Sequence, residues 1–181
     1  MRGFFSIVVE VIQIFLISLA IVIPIRHFLF QPFFVSGASM EPNFTSGEYL
    51  LIDEISYHFR EPKRGEVVVF RSPTDSSKYF IKRIIGLPGE TIEIKEGKIK
   101  IYNLDFPEGK ILKEPYIKDK KTRGNLKVSL KTNEYFVLGD NRDHSSDSRS
   151  WGPVPRKNII GRVWLSVCFS KGIHLLSLPQ Y

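Results

Sequence analysis

The sequence predicts an all-β domain, a barrel-like arrangement of antiparallel sheets, carried on one N-terminal transmembrane helix. Three observations lead there. A dense apolar run fills the first 35 of 181 positions, short stretches of alternating apolar and polar residues follow, and no long helix-period pattern appears after that run. A chain of this length supports one globular core and a short appendage. The expected organisation is a stub at 1–3, an anchor at 4–24 and a β-rich domain over 25–181.

The anchor segment FFSIVVEVIQIFLISLAIVIP, residues 4–24, has the length of a bilayer-crossing helix and one formal charge, Glu10. A mid-helix acid costs about 3 kcal/mol on an insertion scale. The fifteen Phe, Ile, Leu and Val residues each return about 0.3–0.6 kcal/mol, so insertion wins. A cleaved signal peptide competes, because Ser36-Gly37-Ala38 has the small-residue look of a processing site. Against cleavage stand the length of the apolar run and the intervening Arg26, His27, Phe28, Phe30, Phe33 and Phe34. These phenylalanines, with Phe44, suit either core packing or the lipid interface. Arg2 and Arg26 flank the span with nearly balanced charge, so charge alone does not orient it.

Beyond the anchor, residues 49–55, 66–70, 79–85, 91–101, 135–138 and 159–167 read as strands by their two-residue period. TIEIKEGKIKI is a hairpin, with Ile92 and Ile94 on one arm, Ile99 and Ile101 on the other, and Glu96-Gly97 at the turn. Net charge is +7, concentrated over residues 110–131, which include Lys113, Lys118, Lys120, Lys121, Arg123 and Lys127. That segment suits a solvated loop or attraction to anionic lipid headgroups. No nucleic-acid module accompanies it, so nucleic acid is not an expected partner. With Cys168 as the sole cysteine no internal disulfide can form, and the four histidines lack ligand spacing. No metal or cofactor is expected, and Cys168, within VWLSVCF, reads as a small buried hydrophobe.

Three segments stand apart from strand and turn composition: SGASMEP at residues 36–42, YFIKRIIGLPGE at 79–90 and GDNRDHSSDSRSWGPVP at 139–155. Serine is a weak nucleophile unless a base takes its proton, and lysine is such a base only when neutral. Burial supplies that condition. On a strand Lys82 shares a face with Phe80 and Ile84, an apolar setting that lowers an amine pKa, whereas Arg83 on the opposite face is expected charged and solvated. A rival constellation is a Ser-His-Asp triad of Ser39, His144 and Asp140 or Asp143.

These segments resemble type I signal peptidases, the membrane enzymes that remove signal peptides from exported proteins. The likeness runs from the anchor through Gln31-Pro32-Phe33 to the last motif, in the family's order. It implies Ser39, followed by Met40, as nucleophile, Lys82 as general base and Ser145 as the hydroxyl that orients the lysine. Asp147 and Arg149 correspond to a supporting ion pair, and Asp140, Asn141, Arg142 and Asp143 complete the turn. The implied substrates are secretory preproteins with small residues at the first and third positions before the cut. The implied location is the cytoplasmic membrane, crossed once, with the β-domain on the extracytoplasmic side. An extended substrate would add to a strand edge between walls at residues 33–37 and 79–82.

The chain departs from the family pattern at three places. Gly37 stands where some members carry a serine hydroxyl for the oxyanion, which leaves the Ser39 N–H as the first donor. Asn43 stands where threonine is frequent, and His144 where asparagine is common. Self-cleaving repressors of the bacterial damage response also pair serine with lysine on a β-fold, but they carry a DNA-binding domain for which this chain has no room. A tethered β-domain that binds exported proteins without cutting them is the non-enzymatic alternative.

Overall fold

The computed structural model describes residues 3–24, 31–117, 121–168, 172–176 and 178–179. Arg2, Arg26, His27, Phe28, Phe30, Lys118 and Lys120 lie outside the described residues. Helix α1 (Phe4–Pro24) carries no buried side chain from Phe4 to Val22. A mainly apolar helix with no buried side chain over Phe4–Val22 is the form a bilayer covers, and this one fits a single-pass membrane anchor.

The strands are β1 (Gln31–Phe34), β2 (Tyr49–Asp53), β3 (Val67–Arg71), β4 (Tyr79–Gly86), β5 (Thr91–Lys95), β6 (Lys98–Tyr102), β7 (Lys110–Ile111), β8 (Leu126–Ser129), β9 (Glu134–Leu138), β10 (Val154–Pro155), β11 (Ile159–Cys168) and β12 (Gly172–Leu175). Two four-residue helices, α2 (Ser56–Phe59) and α3 (Ser148–Trp151), interrupt them. The larger sheet runs β1-β2-β11-β3-β4-β9-β10, with β12 also on β11, and the smaller runs β7-β6-β5-β8. Every neighbouring pair is antiparallel. The all-β expectation holds, the barrel-like arrangement taking the form of two antiparallel sheets with open edges. The hairpin turns at Glu96 and Gly97, both at positive φ (52° and 78°), the combination a two-residue turn of matching twist requires.

Strand β3 is buried on both faces. Val67 and Val69 join Met40, Phe44 and Leu50 on one side, while Val68 and Phe70 join Ile84, Tyr135 and Val137 on the other. A third cluster seats the smaller sheet on the larger one, with Ile92, Ile94, Ile99 and Ile101 against Ile85, Phe136 and Leu138. Each such side chain contributes about 1.5–3 kcal/mol by leaving water, which makes these faces the main source of stability. Ion pairs Arg142–Glu114 at 2.5 Å and Arg64–Glu90 at 2.6 Å tie the turns that follow β9 and precede β3 to loops flanking the smaller sheet.

One detail of register positions the site. Strand β9 ends at Leu138, opposite Arg83 of β4. Among the described residues, Tyr79–Lys82 therefore pair with β3 on one side only, and their other edge is open.

Candidate active site

The chain leaves β1 at Phe34 and keeps one more ladder bond, Val35 N–H to the Glu48 carbonyl at 2.9 Å, before a loop that carries Ser39. Met40 and Phe44, 1% and 2% exposed, anchor that loop in the core, so Met40 points inward and its neighbour Ser39 is left half-buried above it. Asn141 fastens the loop from across the cleft. Its N–H donates to the Ser39 carbonyl at 3.0 Å and its Nδ2 to the Ala38 carbonyl at 3.0 Å.

Gly139 is required for this approach. A Cβ there would lie 2.5 Å from the Ser39 carbonyl oxygen and 2.2 Å from Ser145 Oγ, closer than any side chain tolerates. The Ser145 hydroxyl is buried in this contact and has no hydrogen-bond partner among the described residues.

Lys82 is 4% exposed, and its Nζ lies 2.7 Å from Ser39 Oγ and 2.9 Å from the Ile81 carbonyl, at the open edge of β4. Its amine sits 5.7 Å from the centre of the Phe80 ring, in the apolar setting the strand alternation predicts. Burial pushes the amine pKa down from 10.5 to about 8, against the pull of the Asp147 and Asp140 carboxylates, which act in the opposite sense.

Each of those carboxylates is held by an arginine. Arg149 donates to Asp147 at 2.8 Å through both Nε and an Nη, and the Gly139 N–H adds a third donor at 3.1 Å. Arg83 donates to Asp140 at 2.8 and 2.6 Å, bonds the Gly65 carbonyl at 2.9 Å and stacks 4.1 Å from the Tyr116 ring centre. The expectation of a solvated Arg83 is therefore corrected: it is 5% exposed. Alternation put it on the face away from Lys82, but that face of β4 is covered by the Asp140 turn and Tyr116. Asn43 joins the same network, donating to Asp140 at 2.8 Å and to the Tyr116 carbonyl at 2.9 Å.

A cleft of about 340 Å³ opens beside Ser39, floored by Val35, Leu50, Val69 and Ile81 and walled by residues 33–39 and 79–82. His144 and Ser146 also line it. No hydrogen bond joins His144 to Ser39 among the described residues; the Ser39 hydroxyl is engaged by Lys82. The Ser39 N–H has no acceptor among the described residues, and Gly37, at φ 96°, gives its own N–H to Ser46 Oγ at 3.3 Å.

The family model described as "Signal peptidase, peptidase S26" matches residues 8–168. The chain belongs to this signal peptidase family. A probable signal peptidase I-2 of Synechocystis sp. is 39% identical over 154 residues, covering 82% of this chain and 67% of that one. A signal peptidase I of Leptolyngbya laminosa is 38% identical over 154 residues, covering 81% and 72%. A solved signal peptidase I of Enterococcus faecalis matches with a TM-score of 0.49 at 30% identity, over 57% of this chain and 97% of that one.

Within this signal peptidase family member, the structure brings together Ser39, Lys82, Gly37 and Met40, and sets the Asp147–Arg149 pair behind them. Sequence reasoning missed Gly139, Asn43 and the clamping role of Asn141. It also missed Ser148, whose Oγ accepts the Val137 N–H at 3.0 Å and fixes the end of β9.

The depressed lysine has a consequence for stability. The unfolded chain keeps the proton up to 10.5 and the native amine sheds it near 8, so the unfolded state binds more protons in between and stability rises with pH there. Below about 8 the cost is undiminished, on the order of 3 kcal/mol. Lys82→Met is expected to raise the Tm at neutral pH by several degrees, with the advantage shrinking as pH climbs toward 10.5. Calorimetry across that range checks it, and a pH-independent difference would contradict the assignment.

Proposed function

We propose that Ser39 and Lys82 form the dyad by which this chain hydrolyses the bond after a signal peptide in secretory preproteins. The observation that carries the reading is the 2.7 Å contact between Ser39 Oγ and a buried amine whose pKa is drawn to about 8. Neutral Lys82 takes the Ser39 proton as Oγ attacks the scissile carbonyl. The Ser39 N–H faces the developing oxyanion. Lys82 then passes that proton to the leaving amine, and in the second half removes a proton from the water that releases the acyl group. The Ser145 hydroxyl bonds no described residue, Lys82 included, so its role in orienting the amine rests on the family resemblance, while the Asp147–Arg149 pair supports the turn behind the site. The lack of a bond from His144 to Ser39 disfavours the triad.

Substrate binding follows from the open edge. An extended segment laid along Tyr79–Lys82 gains ladder bonds, and its alternate side chains enter the 340 Å³ cleft, small ones by the family resemblance. The reading extends to the membrane. Paired positions on neighbouring strands share a face, so Phe34, Tyr49, Val167 and Ile173 form one outward row, and Pro32, Leu51, Leu165 and Leu175 a second. Phe34, Ile173 and Leu175 are 59%, 68% and 68% exposed. β1 begins seven residues after α1 ends, a reach of at most about 25 Å, so this apolar face lies close to the bilayer its anchor enters. We assign phospholipid as its partner, with the catalytic domain on the extracytoplasmic side of the cytoplasmic membrane, preceded by a stub at residues 1–3.

Ser39→Ala and Lys82→Ala are each expected to abolish cleavage of a preprotein, while His144→Ala keeps most of it. The rate is expected to rise with pH through about 8 as Lys82 loses its proton. Full activity in Lys82→Ala with loss in His144→Ala would reverse the roles. For the apolar face, Ile173→Ser with Leu175→Ser is expected to slow cleavage of vesicle-embedded preprotein roughly ten-fold while sparing a soluble peptide. Equal slowing of both substrates would remove the membrane assignment.

A further inference from the structure

The catalytic cleft does not end the binding surface. At its end remote from Ser39, the Tyr79 ring packs edge-on against Phe33, with ring centres 5.6 Å apart. Beyond Tyr79 a second cavity of about 640 Å³ begins, and Tyr79 lines both. The two differ in chemistry. The first is floored by Val35, Leu50, Val69 and Ile81, whereas the second is lined by Glu54, His58, Arg71, Arg156 and Lys157. Of its charges, Arg156 is engaged by Glu61 at 2.9 Å. Arg71 and Lys157 are exposed and have no carboxylate partner among the described residues, so the cavity presents uncompensated positive charge against the one acid, Glu54.

Register connects this cavity to the substrate. Ile81 pairs with Val69 and Tyr79 with Arg71, so Ile81, Tyr79, Val69 and Arg71 share the face that floors the cleft. An extended peptide rises about 3.3 Å per residue, and its side chains return to one face every second residue. If its first residue before the cut lies over Ile81, the third lies over Tyr79, level with Arg71, and the fifth passes the aromatic pair on the same face into the cavity that the Arg71 and Lys157 side chains line.

We propose that this cavity is a distal subsite that binds a carboxylate side chain at the fifth position before the cut. The inference rests on the cleft being the peptidase site proposed above. Arg71 supplies a planar donor fork and Lys157 a mobile ammonium, both open to solvent, so the preference is modest and sensitive to salt.

The test uses the full chain in nonionic detergent, free of anionic lipid, with soluble peptides identical except for Glu, Gln or Lys at the fifth position before the cut. The kcat/KM for the Glu peptide is expected to exceed that for the Lys peptide by roughly five-fold, the scale of an exposed ion pair. In Arg71→Glu with Lys157→Glu the order inverts. About 1 M salt removes the preference in the unsubstituted protein, a readout independent of the double variant's folding. Equal kcat/KM for the Glu and Lys peptides, or a preference unchanged by salt or by the double substitution, overturns the subsite while leaving the peptidase reading intact. Absence of Ser39-dependent cleavage of every peptide overturns both.

Discussion

The structure is organised around the removal of one lysine amine from water. A charged ammonium at the Lys82 position is opposed by burial, and the two carboxylates nearest in effect, Asp147 and Asp140, would restore the charge if they acted bare. They do not act bare. Arg149 and Arg83 hold them at 2.6–2.8 Å, so the amine experiences the weak field of two ion pairs and burial wins. The supporting residues thus do their work at a distance from the reacting atoms, by keeping negative charge occupied while lending their hydrogen bonds to the turn that clamps Ser39.

That turn also explains why the site lies where β9 stops. Had β9 continued past Leu138, it would have covered Tyr79–Lys82 and satisfied the edge that a substrate must use. Instead the chain turns at Gly139, approaches Ser39 more closely than a side chain would allow, and passes Asn141 under the loop. The same displacement of β9 opens the cleft, exposes the hydrogen-bonding edge and delivers the groups that hold the nucleophile. The edge strand on the other side, β1, follows the membrane helix closely in the chain, which couples the apolar outer face to the cleft wall.

Much of this was legible from residue order, and the remainder was not for definable reasons. Two-residue alternation located the longer strands, the Glu96-Gly97 turn located the hairpin, and the resemblance carried by three motifs, more than either residue's own setting, pointed to Ser39 and Lys82. Strands β1, β7, β10 and β12 are too short, at two to four residues, to show a period. Arg83 was misjudged because alternation assigns a face without saying what covers it, and β4 is covered on both. Asn43 and Asn141 act through hydrogen bonds spanning 97 and 103 positions, which no local pattern encodes.

The central claim concerns the protonation of a single nitrogen, and lysine Nζ can be observed directly. Selective labelling and NMR titration of the lysine side chains, assigned by Lys82→Arg, would follow that nitrogen through pH. The account requires one lysine to titrate at about 8 and to vanish in the substituted protein. A Lys82 resonance that titrates with the other lysines, near 10.5, would contradict it.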